Sequence, residues 1–289
     1  MGFNILSAMD NIANFKNNSL KDYSTKYLIR INAIGDQLEY YVKDAIANCF
    51  RIKIDEKDAV YSKCFSWLGN QNNPPDAIIR EGDAFEVKKV SPSRLTHGLK
   101  GTLALNSSPP KNMLYKSDPR VIKKCKNCEE WTKKDIYYTV GYVIKKTLKH
   151  LIFVQGLCYA ADKEIYENVH VPLKKEIDNI ISQKGLESSD TVELGKVKKV
   201  DPLGITELRI RGMWSIQSPM YVFQNVYTYD PSKDFCAVAI MKKDKYESYP
   251  KVDREKVEKN KLISVNNAKI KDPNNPAKLL EVKVIVVEY

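Results

Sequence analysis

Apolar residues recur at three- and four-residue intervals across residues 27–50, through Ile31, Ile34, Leu38, Val42, Ala45, Ile46 and Cys49. That spacing predicts an amphipathic helix. Residues 70–75, rich in amides and ending in Pro74-Pro75, read as a loop, because neither residue type sustains regular structure there. Asp76-Ala77-Ile78-Ile79, then Arg80-Glu81-Gly82, then residues 83–90 read as strand, three-residue turn with Gly82 in the left-handed position, and strand. This is a hairpin. Farther on, residues 150–157 resemble a buried strand and residues 163–181 a helix. Residues 207–216 alternate, with Leu208, Ile210, Gly212, Trp214 and Ile216 on one face and Arg209, Arg211, Met213 and Ser215 on the other. Residues 235–241 and 279–287 read as further strands, separated by a charged, helical or loose stretch at 253–261. No internal repeat and no low-complexity linker interrupts the chain, so one mixed α/β domain over 1–289 is the simplest expectation.

With 43% hydrophobic and 29% charged residues, 289 residues suffice for a full core and exclude a disordered chain. The 47 Lys and Arg exceed the 36 Asp and Glu, and a net charge of +11 favours a polyanionic partner. The excess is local as well as global. Residues 87–117 hold no acid, while Lys88, Lys89, Arg94, Lys100, Lys111 and Lys116 stand among Gly, Pro, Ser and Asn, a pattern suited to a phosphate backbone. No apolar run approaches the roughly 18 residues of a membrane span, and the first residues lack a leader pattern, so a cytoplasmic protein is expected. Six irregularly spaced cysteines read as reduced thiols.

The most informative spacing is Pro75-Asp76 followed, nine residues later, by Glu86-Val87-Lys88. Period-two geometry puts Glu86 and Lys88 on one face of their strand and sends Phe85 and Val87 into the core. Counting outward from the turn places Asp76 opposite Glu86, with Cβ atoms about 4.5–5.5 Å apart, close enough to share one cation. Mg²⁺ takes hard oxygen ligands and needs only one or two protein carboxylates, and the Val87 carbonyl is a further candidate. Beside it, the Lys88 ammonium would help activate the attacking water and offset charge on the phosphate. This order of residues is the PD-(D/E)XK nuclease arrangement. In that superfamily the helix ahead of the hairpin often adds a carboxylate, for which Glu39 is the candidate; an ordinary solvated glutamate is the alternative.

Other motifs carry less. Cys125 and Cys128 have zinc-ligand spacing without a second pair, and His97, His150 and His170 form no metal or triad pattern. Phosphate-binding Gly-Lys-Ser loops, dinucleotide fingerprints and serine-hydrolase elbows are missing from the sequence. Arg209 and Arg211, sharing one face, are candidates for guanine contact or for phosphate clamping. The DNA-contact candidates are Asn72, Asn73, Lys89, Lys100, Asn106, Ser107, Lys111, Arg209 and Arg211.

Longer strings carry a resemblance. Residues 65–70 (FSWLGN), 73–77 (NPPDA), 82–84 (GDA), 86–89 (EVKK), 103–108 (LALNSS), 201–206 (DPLGIT), 209–214 (RIRGMW) and 273–277 (PNNPA) resemble the NgoPII family of type II restriction endonucleases. The resemblance runs through almost the whole chain. It implies a PD-(D/E)XK restriction-endonuclease-like core with a mixed sheet flanked by helices, Mg²⁺-dependent cleavage of both strands of double-stranded DNA, and a short palindromic target such as GGCC. It also implies a homodimer matched to the palindrome and a companion methyltransferase. Asp76, Glu86 and Lys88 match the family's catalytic pattern. Pro109 and Met113 replace an expected aromatic residue and lysine, and residues 91–102 form a longer link than usual, so the bases read stay open. A structure-specific repair nuclease would share the metal site, and a non-catalytic DNA-binding protein would share the basic segment. Discrete plasmid fragments distinguish the first, and Mg²⁺-dependent cleavage lost on Asp76→Ala distinguishes the second.

Overall fold

The computed structural model describes residues 2–21, 33–70, 73–92 and 99–289, without the side chains of 33–36, 70 and 73. In chain order the first elements are α1 (Ile5–Phe15), α2 (Ala33–Ala47), α3 (Ile54–Cys64), β1 (Phe65–Asn70), β2 (Asn73–Ile79), β3 (Ala84–Val90), β4 (Thr102–Asn106), β5 (Met113–Tyr115), α4 (Lys123–Lys126), β6 (Lys133–Ile144), β7 (Thr147–Gln155) and α5 (Gly156–Tyr159). There follow α6 (Lys163–Gln183), β8 (Glu187–Ser188), β9 (Gly195–Lys198), β10 (Leu208–Ile210), β11 (Trp214–Gln217), α7 (Pro219–Val222), β12 (Cys236–Lys242), α8 (Lys243–Ser248), α9 (Lys251–Lys259), β13 (Ile263–Asp272) and β14 (Asn275–Glu288). They gather into two compact units. The larger comprises Met1–Thr102, Asn112–Ala160 and Gln217–Tyr289, and the smaller comprises Leu103–Lys111 and Ala161–Ile216.

The larger unit is built on a mixed sheet in the order β1-β2-β3-β6-β7-β12-β14-β13, with β5 pairing β6. β3 runs parallel to β6 and β12 parallel to β7, whereas the outer pairs are antiparallel. The central strands are apolar on both faces, as strands covered on both sides must be. One face carries Phe85, Val87, Tyr137, Leu151, Phe153, Ala239 and Ile285 against α1 and α2. A mixed α/β fold with helices flanking a large sheet matches the sequence expectation.

Helix α1 lies outside the elements read from the sequence. Ile5, Leu6, Met9, Ile12 and Ala13 are buried along one side, and the Asn4 side chain caps the helix by accepting from the Ser7 amide. Asp10, almost fully buried, accepts from Asn260 Nδ2 at 2.9 Å and pairs with Lys256 at 2.5 Å, which ties α1 to the end of α9. In α2 the expected stripe is present, with Leu38, Val42, Ala45 and Ile46 buried. Ile31 lies outside the described residues, and the helix ends at Ala47 because Asn48 turns left-handed. Asp44 on α2 is buried against α3, where it holds the Lys57 ammonium and accepts from Tyr61 Oη at 2.6 Å.

Three local expectations change. Residues 73–75 belong to β2, not to a loop. The left-handed residue of the hairpin turn is Glu81, whose φ is 57°, not Gly82. Gly82 is needed for closeness, since a Cβ there would stand 2.9 Å from the Ile79 Cγ2 methyl, and the Glu81 amide is held by the Glu129 carboxylate at 2.9 Å. The alternating run 207–216 divides into β10 and β11. Strand β10 pairs with β9 from Leu208↔Val197 to Ile210↔Gly195, and Gly195 is where β9 begins, so the ladder has no partner left. Beyond the break, β11 pairs with β4. The charged stretch near 253–261 is α9, and β13 follows it, forming a hairpin with β14 whose turn holds Pro273 and Asn274.

The smaller unit consists of the β10-β9-β8 sheet, the β11-β4 pair and α6. Gly195 lets α6 lie close on β9, because a Cβ there would stand 2.7 Å from Ile177 Cγ2 and 3.3 Å from Ile181 Cδ1. Lys174 on the same side of α6 donates to the Thr191 and Glu193 carbonyls, each at 2.9 Å. Among the described residues no helix is long and apolar enough to cross a membrane, and the six cysteines are free.

Removing Asp44 would take from the buried Lys57 ammonium the carboxylate it holds. Asp44→Ala is expected to lower unfolding free energy by about 3–5 kcal/mol, the cost typical of breaking a buried ion pair from one side. Urea titration followed by circular dichroism measures it.

Candidate active site

Leu68 pairs with Ala77 and Asn70 with Asn73, so Gly69 alone faces Pro74, Pro75 and Asp76. This is a bulge. It explains how two residues without amide donors sit inside a strand: the β2–β3 ladder starts only at Ala77↔Phe85, and no hydrogen bond is asked of either proline there. The bulge also aims Asp76. A Cβ on Gly69 would come within 2.6 Å of the Pro75 carbonyl oxygen and 2.8 Å of the Asp76 Cα, and the Trp67 indole donates to the Pro75 carbonyl at 3.0 Å. Gly69 and Trp67 thus fix the backbone that carries the carboxylate.

Across the hairpin the Val87 amide donates to Asp76 Oδ2 at 2.6 Å. Ala77↔Phe85 and Ile78↔Ala84 are the adjacent partners, the register that places Asp76 beside Glu86. Phe85 and Val87 are buried in the core, and Glu86 and Lys88 turn to the other face. There Lys88 Nζ donates to Glu86 Oε1 at 2.6 Å, while Glu86 Oε2 is buried with no hydrogen-bond partner among the described residues.

Electrostatics gather these groups further. Burial, and next the Glu86 carboxylate, hold the Asp76 carboxyl well above the usual carboxylate range; Glu39 adds to the rise, and Lys88 and the Val87 amide oppose it. For Lys88, burial pulls downward, but Glu86, Asp76 and Glu39 outweigh it and raise its pKa. Glu39, also 3.7 Å from Lys43, therefore projects its charge onto the same hairpin. The charges of Glu86, Asp76 and Glu39 all act on Lys88, and Glu86 is hydrogen-bonded to it. Among the described residues no three His, Cys, Asp or Glu side chains form a ready-made metal cage. Mg²⁺ does not need one, since water and phosphate complete its shell. The unpartnered Glu86 oxygen and the crowded Asp76 carboxyl are the donor set that a hard cation fits.

The remaining candidates are scattered. Lys89 follows Lys88 and so points to the opposite face of β3. Lys100 sits over the Tyr221 ring at 5.3 Å in the larger unit. Asn106, Ser107 and Lys111 lie in the smaller unit, where Asn106 is exposed in the left-handed conformation and Lys111 donates to Ser108. Asn72, Arg94 and His97 fall outside the described residues, and Asn73 is described only by its backbone. Arg209 and Arg211 do reach the same point despite the strand break. Arg209 donates through Nε and Nη2 to Glu193 at 2.9 and 2.6 Å, and Arg211 Nε lies 2.7 Å from Glu193 Oε1. The Arg209 hydrogen bonds hold the Glu193 carboxyl below its ordinary range. Glu193 was invisible to the sequence reading, because it lies 16 residues from Arg209 in a stretch without periodicity. Cys125 and Cys128 remain side by side without other metal-type ligands among the described residues.

Gly69→Ala should displace Asp76 without altering any charged group. A loss of cleavage rate on the order of 100-fold is expected, the cost of a misplaced reacting geometry of about 1 Å, with DNA affinity retained in Ca²⁺. Single-turnover cleavage and a binding titration check the two halves.

Against known proteins, the family model described as NgoPII restriction endonuclease matches residues 3–272. The chain is 42% identical over 283 residues to the type II restriction enzyme NgoPII of Neisseria gonorrhoeae, covering 98% of each protein. No solved structure matches. A family model across nearly the whole length, a full-length relative, and a bulged hairpin presenting Asp76, Glu86 and Lys88 agree: the chain belongs to the NgoPII restriction endonuclease family.

Proposed function

We propose that this type II restriction endonuclease cleaves both strands of a short palindromic, GGCC-like DNA site in a reaction that depends on Mg²⁺. The observation that carries the metal dependence is the buried, unpartnered Glu86 Oε2 beside the crowded Asp76 carboxyl. Asp76, Glu86 and the Val87 carbonyl would hold the ion, which when bound would polarise the scissile phosphate and offset its growing charge. Lys88, held against Glu86, orients the attacking water and stabilises negative charge on the phosphate as the bond breaks. Glu39 adds its carboxylate to the same field. The GGCC-like target rests on the resemblance to the family, and a palindrome calls for two copies of the chain, one per strand. The whole chain, 1–289, acts in this reading as one endonuclease domain with the smaller unit inserted in it. It works in the cytoplasm beside a methyltransferase that protects the host's own sites.

Base reading belongs to Arg209 and Arg211, oriented by Glu193, with Asn72, Asn73, Asn106 and Ser107 as further contacts. Lys89, Lys100 and Lys111 serve phosphates. Mapping the cut ends on DNA of known sequence in Mg²⁺ tests the proposal: discrete ends at one palindrome support it, and scattered cutting or none overturns it.

Asp76→Ala and Glu86→Ala are expected to reduce cleavage to background while the protein stays folded, and Ca²⁺ should support binding without efficient cutting. Lys88→Ala should keep affinity and lose about 100-fold or more in kcat, since its charge matters most in the transition state. Normal turnover in any of these variants would remove that residue from the site.

Arginine and lysine variants should separate specificity from affinity. Arg209→Ala or Arg211→Ala should cost about 1–3 kcal/mol on the cognate site and narrow its advantage over single-base variants. Lys111→Ala should weaken all DNA alike and lower the salt slope by roughly 0.9. Competition binding at several salt concentrations reads both.

A further inference from the structure

The charge of the chain is unevenly divided. The smaller unit holds ten Lys and Arg and ten Asp and Glu, so the whole formal charge of +11 resides in the larger unit. Its surface chemistry is also different. Among the described residues, 17 large apolar side chains are exposed, and 12 of them lie in this unit of 65 residues. An apolar stretch of such a surface is suited to contact with protein more than with a phosphate backbone.

Five of these side chains lie on one helix, of which four share a face and the fifth, Val171, stands on the opposite side. In α6, Ile177 and Ile181 face the sheet, whereas Ile165, Val169, Leu173 and Ile180 are 45–56% exposed. At 100° per residue these four fall within about 80° of the helix circumference, one continuous stripe. The helix has 21 residues and runs about 31 Å, long enough to cross a protein interface of ordinary size.

We propose that the Ile165–Val169–Leu173–Ile180 stripe is the surface through which two copies of this chain pair about a twofold axis. The proposal rests on the reading of the chain as an enzyme that cuts both strands, because the described residues carry one Asp-Glu-Lys hairpin per chain. Charge selects this surface over others. Contact between two larger units would bring +11 toward +11, whereas two smaller units meet without net repulsion. The stripe is self-complementary: with the axis beside Leu173, antiparallel helices place Ile165 of each copy opposite Ile180 of the other, as a twofold contact requires. Arg209 and Arg211 are held by Glu193 and not by any of the four stripe side chains.

The test uses the full chain in sedimentation velocity and plasmid cleavage. Wild type is expected to be a dimer at micromolar concentration that linearises plasmid. A Val169→Asp/Leu173→Asp variant, altered only at exposed positions, should keep its circular dichroism spectrum. Its dimer dissociation constant should rise on the order of 100-fold, because each copy would press two carboxylates into an apolar contact. Nicked circles should then replace linear product at the same enzyme concentration. Leu279→Asp, at an exposed apolar position of the larger unit, should leave the dimer intact. A monomeric wild type, a double variant that stays dimeric, or an intact dimer that merely loses DNA affinity overturns the proposed surface. Wild type that dimerises through this stripe but yields no discrete DNA fragments overturns the endonuclease reading and leaves the surface standing.

Discussion

The hydrogen bond from the Val87 amide to Asp76 Oδ2 joins the two strands of the hairpin at the point where their backbone ladder stops. A slip of one residue would turn Glu86 and Lys88 into the apolar core and bring Phe85 and Val87 out of it. Burial of Phe85 and Val87 therefore holds the register from one side of the sheet, and the Asp76 bond holds it from the other. Gly69 makes this possible from β1, since only a residue without Cβ leaves room for the bulged Pro75–Asp76 backbone.

The two ends of the hairpin are treated differently. At the turn end, Asp83 accepts from Lys245 at 2.6 Å and Tyr249 at 2.9 Å, and Lys245 also reaches Asp135 at 2.8 Å. Gln155 completes this set by donating to Asp135 and accepting from the Lys242 amide. Every charge there has its partner, and the network anchors β3 to β6 and α8. At the other end Lys88 pairs with Glu86 while the Asp76 and Glu39 charges bear on the same hairpin, and among the described residues Glu86 Oε2 has no hydrogen-bond partner. Buried polar groups that satisfy one another stabilise, whereas a buried group left wanting marks the place where a ligand completes the set.

The +11 charge has a comparable division of labour. It lies in the unit that holds the hairpin, where it offsets the negative charge of the gathered carboxylates. The smaller unit is neutral, and its two arginines converge on one glutamate. An arginine held in a fixed fork loses less freedom when it meets a base edge than one that must be ordered on arrival.

The sequence by itself determined the α2 stripe, the hairpin, the side of β3 on which Glu86 and Lys88 stand, and the family. Each depends on spacing along the chain or on strings of residues that stay together. It could also have disclosed α1, whose Ile5, Met9, Ile12 and Ala13 keep helical spacing behind Asn4. What only the tertiary structure decided depends on groups distant in sequence. The place of Pro74 and Pro75 inside a strand follows from where β3 starts to pair, and the break between β10 and β11 follows from where β9 runs out. The Glu39 charge acts on Asp76 and Lys88, and Glu193 meets Arg209 and Arg211, through the packing of separate elements. Spacing reports which face a side chain takes on its own strand or helix; which charge it meets there is set by the three-dimensional packing of the rest.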